Sequence, residues 1–114
     1  MSNVKQQGTL TAEFLVSESN GQISREQIVV KAGTALPAGQ VLGVTSTGEY
    51  APYDNKANDG SEVAAAILYA PLAASKSPRP ETGIVRLAEV AGVLMAGLDA
   101  AGRDDIAERH VIVR

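Results

Sequence analysis

The chain is 114 residues long, the size of one ordinary domain, and carries 10 basic against 13 acidic residues for a net charge of −3. With no basic run there is no electrostatic footprint for a nucleic-acid partner, and the absence of cysteine excludes disulfides, thiol catalysis and Cys-based metal sites. Hydrophobic residues make up 45% of the chain but aromatics only 4%, so Val, Ile, Leu and Ala must build a core that is thin for a monomer and invites a subunit interface.

The opening "MSNVKQQGTL" is polar and lacks the apolar stretch of a secretory signal, so synthesis in the cytosol is expected, with residues 1–8 as a mobile tail. "TLTAEFLV" then alternates, with Leu10, Ala12, Phe14 and Val16 on one face and Thr9, Thr11 and Glu13 on the other, the pattern of a half-buried strand. It reads either as a terminal edge strand of the domain or as an arm that pairs with another protein by strand addition. "SESNG" (17–21) follows as a turn-rich link. "EQIVVKAG" (26–33) is a short strand stopped by Gly33, and Val41, Leu42 and Val44 form the next after the corner at Pro37 and Gly39. "STGEYAPYD" predicts a hairpin turning at Gly48, and "NKANDG" (55–60) a polar loop.

From Val63 to Tyr69 no polar residue occurs, which predicts a strand buried on both faces, or with one face in the core and one in an interface. "VAAAILYAPLAAS" still falls short of the ~20 residues that cross a bilayer, and no membrane partner is expected. "AASKSPRPETG" (73–83) reads as a loop in which Pro78 and Pro80 forbid regular pairing, and "IVRLAEV" (84–90) as one strand. A short helix is expected over Asp104–Arg109, with Gly102 arguing against an earlier start, and "HVIVR" closes the chain as a strand.

The residues offer little chemistry. His110 is the only histidine and no Gly-x-Ser-x-Gly elbow accompanies it. Asp54, Asp59 and Glu62 suggest calcium until an EF-hand register is tried on Gly60, which places Ala57 and Ala66 at ligand positions. Asp59-Gly60 is then a turn, and the glycines at 33, 39, 43 and 48 match neither a dinucleotide nor a P-loop spacing. No catalytic residue, metal or cofactor is assigned, and an enzyme is not expected. Pro37, Gly39, Gly43, Gly48, Asp59 and Gly60 are read as structural turns.

The strings "EFLVSESNGQISREQIVVKAG", "LPAGQVLGVTSTGEYAPYD", "NDGSEVAAAILYAP" and "RLAEV", in this order, closely resemble the lambda-type bacteriophage head decoration proteins over about Glu13–Val90. After Val90 the chain departs from that pattern, with no Trp and a short, Gly-interrupted helix before its closing strand. The resemblance implies a mainly β fold with one short C-terminal helix, a small β-clip-like single domain with a flexible N-terminal arm. It implies a homotrimer on the outer capsid surface of the virion, at three-fold and quasi-three-fold positions of the expanded head. There it would bind the major capsid protein and cement the shell against the pressure of packaged DNA, with no small-molecule substrate.

On this reading residues 1–15 are the capsid-binding arm and 16–114 the β-rich decoration domain, with Thr9, Leu10, Thr11, Ala12, Glu13, Phe14 and Leu15 adding to a capsid strand. Separately from the resemblance, the apolar run suggests a trimer interface at Val63, Ala65, Ile67 and Tyr69, where small Ala side chains allow close approach of subunits. "KAGTALPAGQVLG" also resembles the clip segment of carbohydrate-binding β-clip (SAF-like) modules, which gives the alternative reading.

Overall fold

The structure, a computed structural model, describes residues 10–18 and 24–114. Residues 1–9, which include Thr9 and the expected mobile tail, lie outside the described residues, as do 19–23, which include the last three residues of the expected link. The strands are β1 (Leu15–Glu18), β2 (Arg25–Val30), β3 (Val41–Val44), β4 (Tyr50–Pro52), β5 (Ala64–Leu68), β6 (Arg79–Ile84), β7 (Ala88–Val90) and β8 (Val111–Val113). A helix near the C-terminus, α1 (Ala100–Ala107), precedes β8, so the fold is mainly β with a short C-terminal helix, as the sequence led us to expect.

Five strands close into a barrel in the order β2-β4-β3-β5-β6, while β1, β7 and β8 form a separate sheet. Neighbouring residues of the barrel wall face opposite ways and fall into two cores. Leu42, Ala66 and Leu68 join Ile28 and Val30 of β2 in the barrel interior. Val41, Ala64, Ile67 and Ile84 face the other way, against Phe14, Val90, Ile106 and Val111. Strand β5 serves both cores, and all five of its residues are buried. That double burial is what its uninterrupted apolar sequence encodes.

Where the chain turns, small side chains and caps do the work. The β3–β4 hairpin closes with Thr45 N–H on the Glu49 carbonyl at 2.8 Å, and Gly48 takes φ 90 at its tip. Gly60 takes φ 110, and a Cβ there would meet the Val44 carbonyl oxygen at 2.4 Å. Gly43 lies inside β3 rather than in a turn, beside a bulge, and a Cβ on it would stand 2.7 Å from the Ser61 and Val63 backbones.

Four sequence expectations are corrected here. Pro80 does not prevent pairing: it sits within β6 opposite Val29, at a point where β5, which pairs only with Gly83 and Ile84, provides no second neighbour. A residue without an N–H is tolerated at such a position. "IVRLAEV" is not one strand, because Leu87 adopts φ 53 and sends Ala88–Val90 into the other sheet. "TLTAEFLV" does not run as one alternating strand: residues 11–14 form turns, and only from Leu15 is the chain extended. Finally, α1 starts at Ala100 and contains Gly102.

That early helix start has two causes. Asp99 caps it, accepting the Gly102 N–H at 2.7 Å, and the ring of Tyr53 leaves only 2.9 Å for a Cβ at Gly102. The same carboxylate accepts the Tyr53 hydroxyl at 2.7 Å and the Asn55 amide at 2.6 Å. Asp105 extends the clamp, accepting the N–H of Ala64 at 2.9 Å and so tying α1 to the start of β5. The Gly102 N–H, then Tyr53 and Asn55, hold Asp99 below the usual carboxylate range. Burial, and then the bond to Asp99, pushes the Tyr53 phenol up to about 12.

At the barrel mouth the buried Arg79 donates to the carbonyls of Thr34, Ala73 and Lys31, each at 2.8 Å, and joins the paired segments that bridge Gly33 to Ser75 and Leu36 to Leu72.

Two measurements test these assignments. In urea unfolding, Gly48→Ala should cost about 1–2 kcal/mol from backbone strain alone, because no atom lies within 4 Å of its Cβ position. Gly60→Ala should cost clearly more, since strain and collision add. The Asp99 site also fixes the sign of the pH response. A carboxylate depressed in the folded state contributes stability above its unfolded value of about 4, lost as pH falls through the folded value. A phenol raised in the folded state contributes below its unfolded value of about 10, and that stability is lost as pH rises through about 12. Unfolding free energies across pH should therefore drop at both ends, and Asp99→Asn should flatten the acid limb while lowering stability at neutrality.

Candidate interaction surfaces

The N-terminal segment assigned to partner binding from sequence is divided in two by its own packing. Leu10 and Thr11 are exposed, with Leu10 at 50%. Glu13 donates its N–H to the Leu10 carbonyl at 3.0 Å, and its carboxylate accepts the Leu10 N–H at 2.8 Å. Ala12, at φ 60, donates its N–H to the Tyr69 carbonyl at 2.9 Å. Phe14 is fully buried in the outer core, its carbonyl accepting the Ala91 N–H at 2.7 Å, and Leu15 pairs with Val90. Burying the chain's single Phe contributes about 1.5–3 kcal/mol, enough to decide where the segment stops being available. Beyond it, β1 is an outer strand of its sheet, and Val16 is 54% exposed.

The four residues placed at a trimer contact are separated by the fold. Ala65 and Ile67 are enclosed, because β5 runs between β3 and β6 with a core on each side. Val63, just before the strand, is 52% exposed. Tyr69, just after it, lies under the Arg25 guanidinium, 4.4 Å from the ring centroid. Arg25 also pairs with Glu18 at 2.5 Å, which raises the pKa of the guanidinium.

Of the turn residues, Gly39 takes φ 88 beneath the Leu94 carbonyl, directly after the exposed Pro37 corner. Asp59 accepts the Ser61 N–H at 3.0 Å and its hydroxyl at 2.6 Å, which lowers the Asp59 pKa and orders the loop before β5.

Sequence reasoning did not find the outward side of the β1-β7-β8 sheet. An open groove of about 340 Å³ runs there between Ser17, Leu87, Glu89, His110 and Ile112. In β8, Val111 is buried while Ile112 is exposed, an alternation legible in "VIV". Glu89 at the groove is held below the usual range by its bond to Arg114 at 3.1 Å. A second apolar point is Val93, 89% exposed on the 3₁₀ turn Gly92–Leu94. These surfaces offer backbone edges and apolar contacts, the means of holding another protein. Among the described residues no three His, Asp or Glu side chains gather as metal ligands, and no helix is long and apolar enough to cross a membrane.

Comparison with protein families gives a match to the model described as bacteriophage lambda head decoration protein D, over residues 4–111. The comparison with curated proteins returns no match. The matched family consists of structural capsid components of the phage head and is not an enzyme family. Its model runs through the barrel, the second sheet and the helix alike, including the stretch after Val90 where the sequence departs from the pattern expected of it. The chain therefore belongs to the bacteriophage lambda head decoration protein D family.

Proposed function

We propose that the protein assembles as a homotrimer on a β-clip-type scaffold and binds the outer surface of the expanded phage head at three-fold and quasi-three-fold positions. There it cements neighbouring capsomers, through the major capsid protein, against the pressure of packaged DNA. The family match over residues 4–111 carries this reading. The thin aliphatic core supports the trimer, since a shared interface supplements burial that few rings supply.

The N-terminal segment up to Phe14 is the capsid-binding arm in this reading, rooted by that buried ring and continued by the outer strand β1. Ordering such an arm costs roughly 1–2 kcal/mol of backbone entropy per residue, so one arm alone binds weakly. Three on one trimer act as a multivalent unit, engaging only where three sites are correctly spaced. Val63, 52% exposed just before β5, is the part of the proposed trimer contact that has surface to offer. A sugar-binding module would want an exposed aromatic platform, whereas Tyr53 is enclosed and Tyr69 is covered by Arg25.

The test uses expanded shells prepared without a decoration protein. Light scattering should give a trimer, and the protein should bind expanded shells but not the unexpanded precursor. Deleting residues 2–9 should leave the trimer and its melting temperature nearly unchanged while weakening shell binding by at least about tenfold. A monomer in solution, or equal binding by the shortened protein, would contradict the proposal.

A further inference from the structure

The segment from Leu10 to Phe14 has a sequence suited to one conformation and a structure in another. Its apolar positions alternate as in a strand, and Thr11 and Phe14 favour extended backbone. Yet the chain is folded into two successive turns, with Glu13 N–H on the Leu10 carbonyl at 3.0 Å and Leu15 N–H on the Ala12 carbonyl at 3.0 Å. The turns require Ala12 at φ 60, a left-handed conformation disfavoured for a residue with a Cβ. Neither Gly nor Asn occupies the position, although either would adopt it with little strain.

What holds the strained form is local. The Tyr69 carbonyl accepts the Ala12 N–H at 2.9 Å, and the Glu13 carboxylate accepts the Leu10 N–H at 2.8 Å. Each of these donors would find an equivalent acceptor in the carbonyl row of an added strand. Extension would therefore exchange hydrogen bonds nearly one for one, relieve Ala12, and continue β1 without moving Phe14 from the core.

We propose that the Leu10–Phe14 turn is a latent strand, closed by Ala12 and Glu13 in the free protein and opened when a partner presents an extended backbone edge. Phe14 is the pivot, and four residues released ahead of it add about 13 Å of pairing edge. The inference rests on the capsid-binding reading of this segment and gives it a control point: the arm is folded away until a matching edge competes for its hydrogen bonds.

The chain has no cysteine, so a disulfide between Leu10→Cys and Glu13→Cys locks the turn without competing thiols. Positions i and i+3 of a turn lie within disulfide reach. The oxidised protein should fail to bind expanded shells, and the reductant should restore binding in the same sample. A second pair of variants works through the backbone alone: Ala12→Gly, which relaxes the closed form, should weaken binding about tenfold, and Ala12→Val, which strains it further, should strengthen binding. Equal binding by oxidised and reduced protein, or by the Gly and Val variants, overturns the latch while leaving capsid binding intact. If the unaltered protein itself ignores expanded shells, the capsid reading fails and takes the latch with it.

Discussion

Strand β5 is the constraint on which the rest of the molecule depends. Five consecutive residues, Ala64–Leu68, are buried on both faces, so one short strand must fill the barrel on one side and support a second layer on the other. The consequences spread outward. Its flanking strands carry glycine where space is shortest, Gly43 in β3 and Gly83 in β6, the latter with its Cβ position 3.5 Å from the Ala66 methyl. Its first amide is met by a helix carboxylate, Asp105. Alanine at three of the five positions lets neighbouring elements come close, and the larger Ile67 and Leu68 then fill one core each.

The second layer exists because β5 has an outer face to cover. Phe14, Val90, Ile106 and Val111 come from the N-terminal segment, β7, α1 and β8, so the parts of the chain furthest apart in sequence meet on one side of the barrel. A helix cap on Asp99 that reaches Tyr53 beyond β4, and an ion pair from Glu18 to Arg25, fasten that layer at its margins. The Glu18–Arg25 pair is partly exposed and contributes little by itself, whereas the buried apolar contacts supply most of the attachment.

Much of this was legible in the residues. The β-branched run of β2, the hairpin at Gly48 and the continuous apolar run of β5 are local signals, and each became the element it suggested. What could not be read was decided by contacts remote in sequence. Nothing in "IVRLAEV" announces that Leu87 turns left-handed, because the cause is a second sheet waiting for Ala88 and Val90. Gly102 looked like a helix breaker, yet Tyr53 leaves room for nothing larger. Pro80 looked like a strand breaker, and only the topology shows that it has a neighbour on one side. For the candidate surfaces, pattern singled out the N-terminal segment, but the claim of the core on Phe14 was invisible to it, and an interface drawn along β5 overlooked how completely that strand is enclosed.

The order of the second sheet has a further consequence. Leu15, Val90 and Val113 stand in one row across it, with β1 entering and β8 leaving at the same end. Two strand spacings, about 10 Å, separate them. A peptide fused behind Arg114 would thus emerge at the rim from which the first residues set out, and bulky cargo there would crowd whatever those residues reach toward.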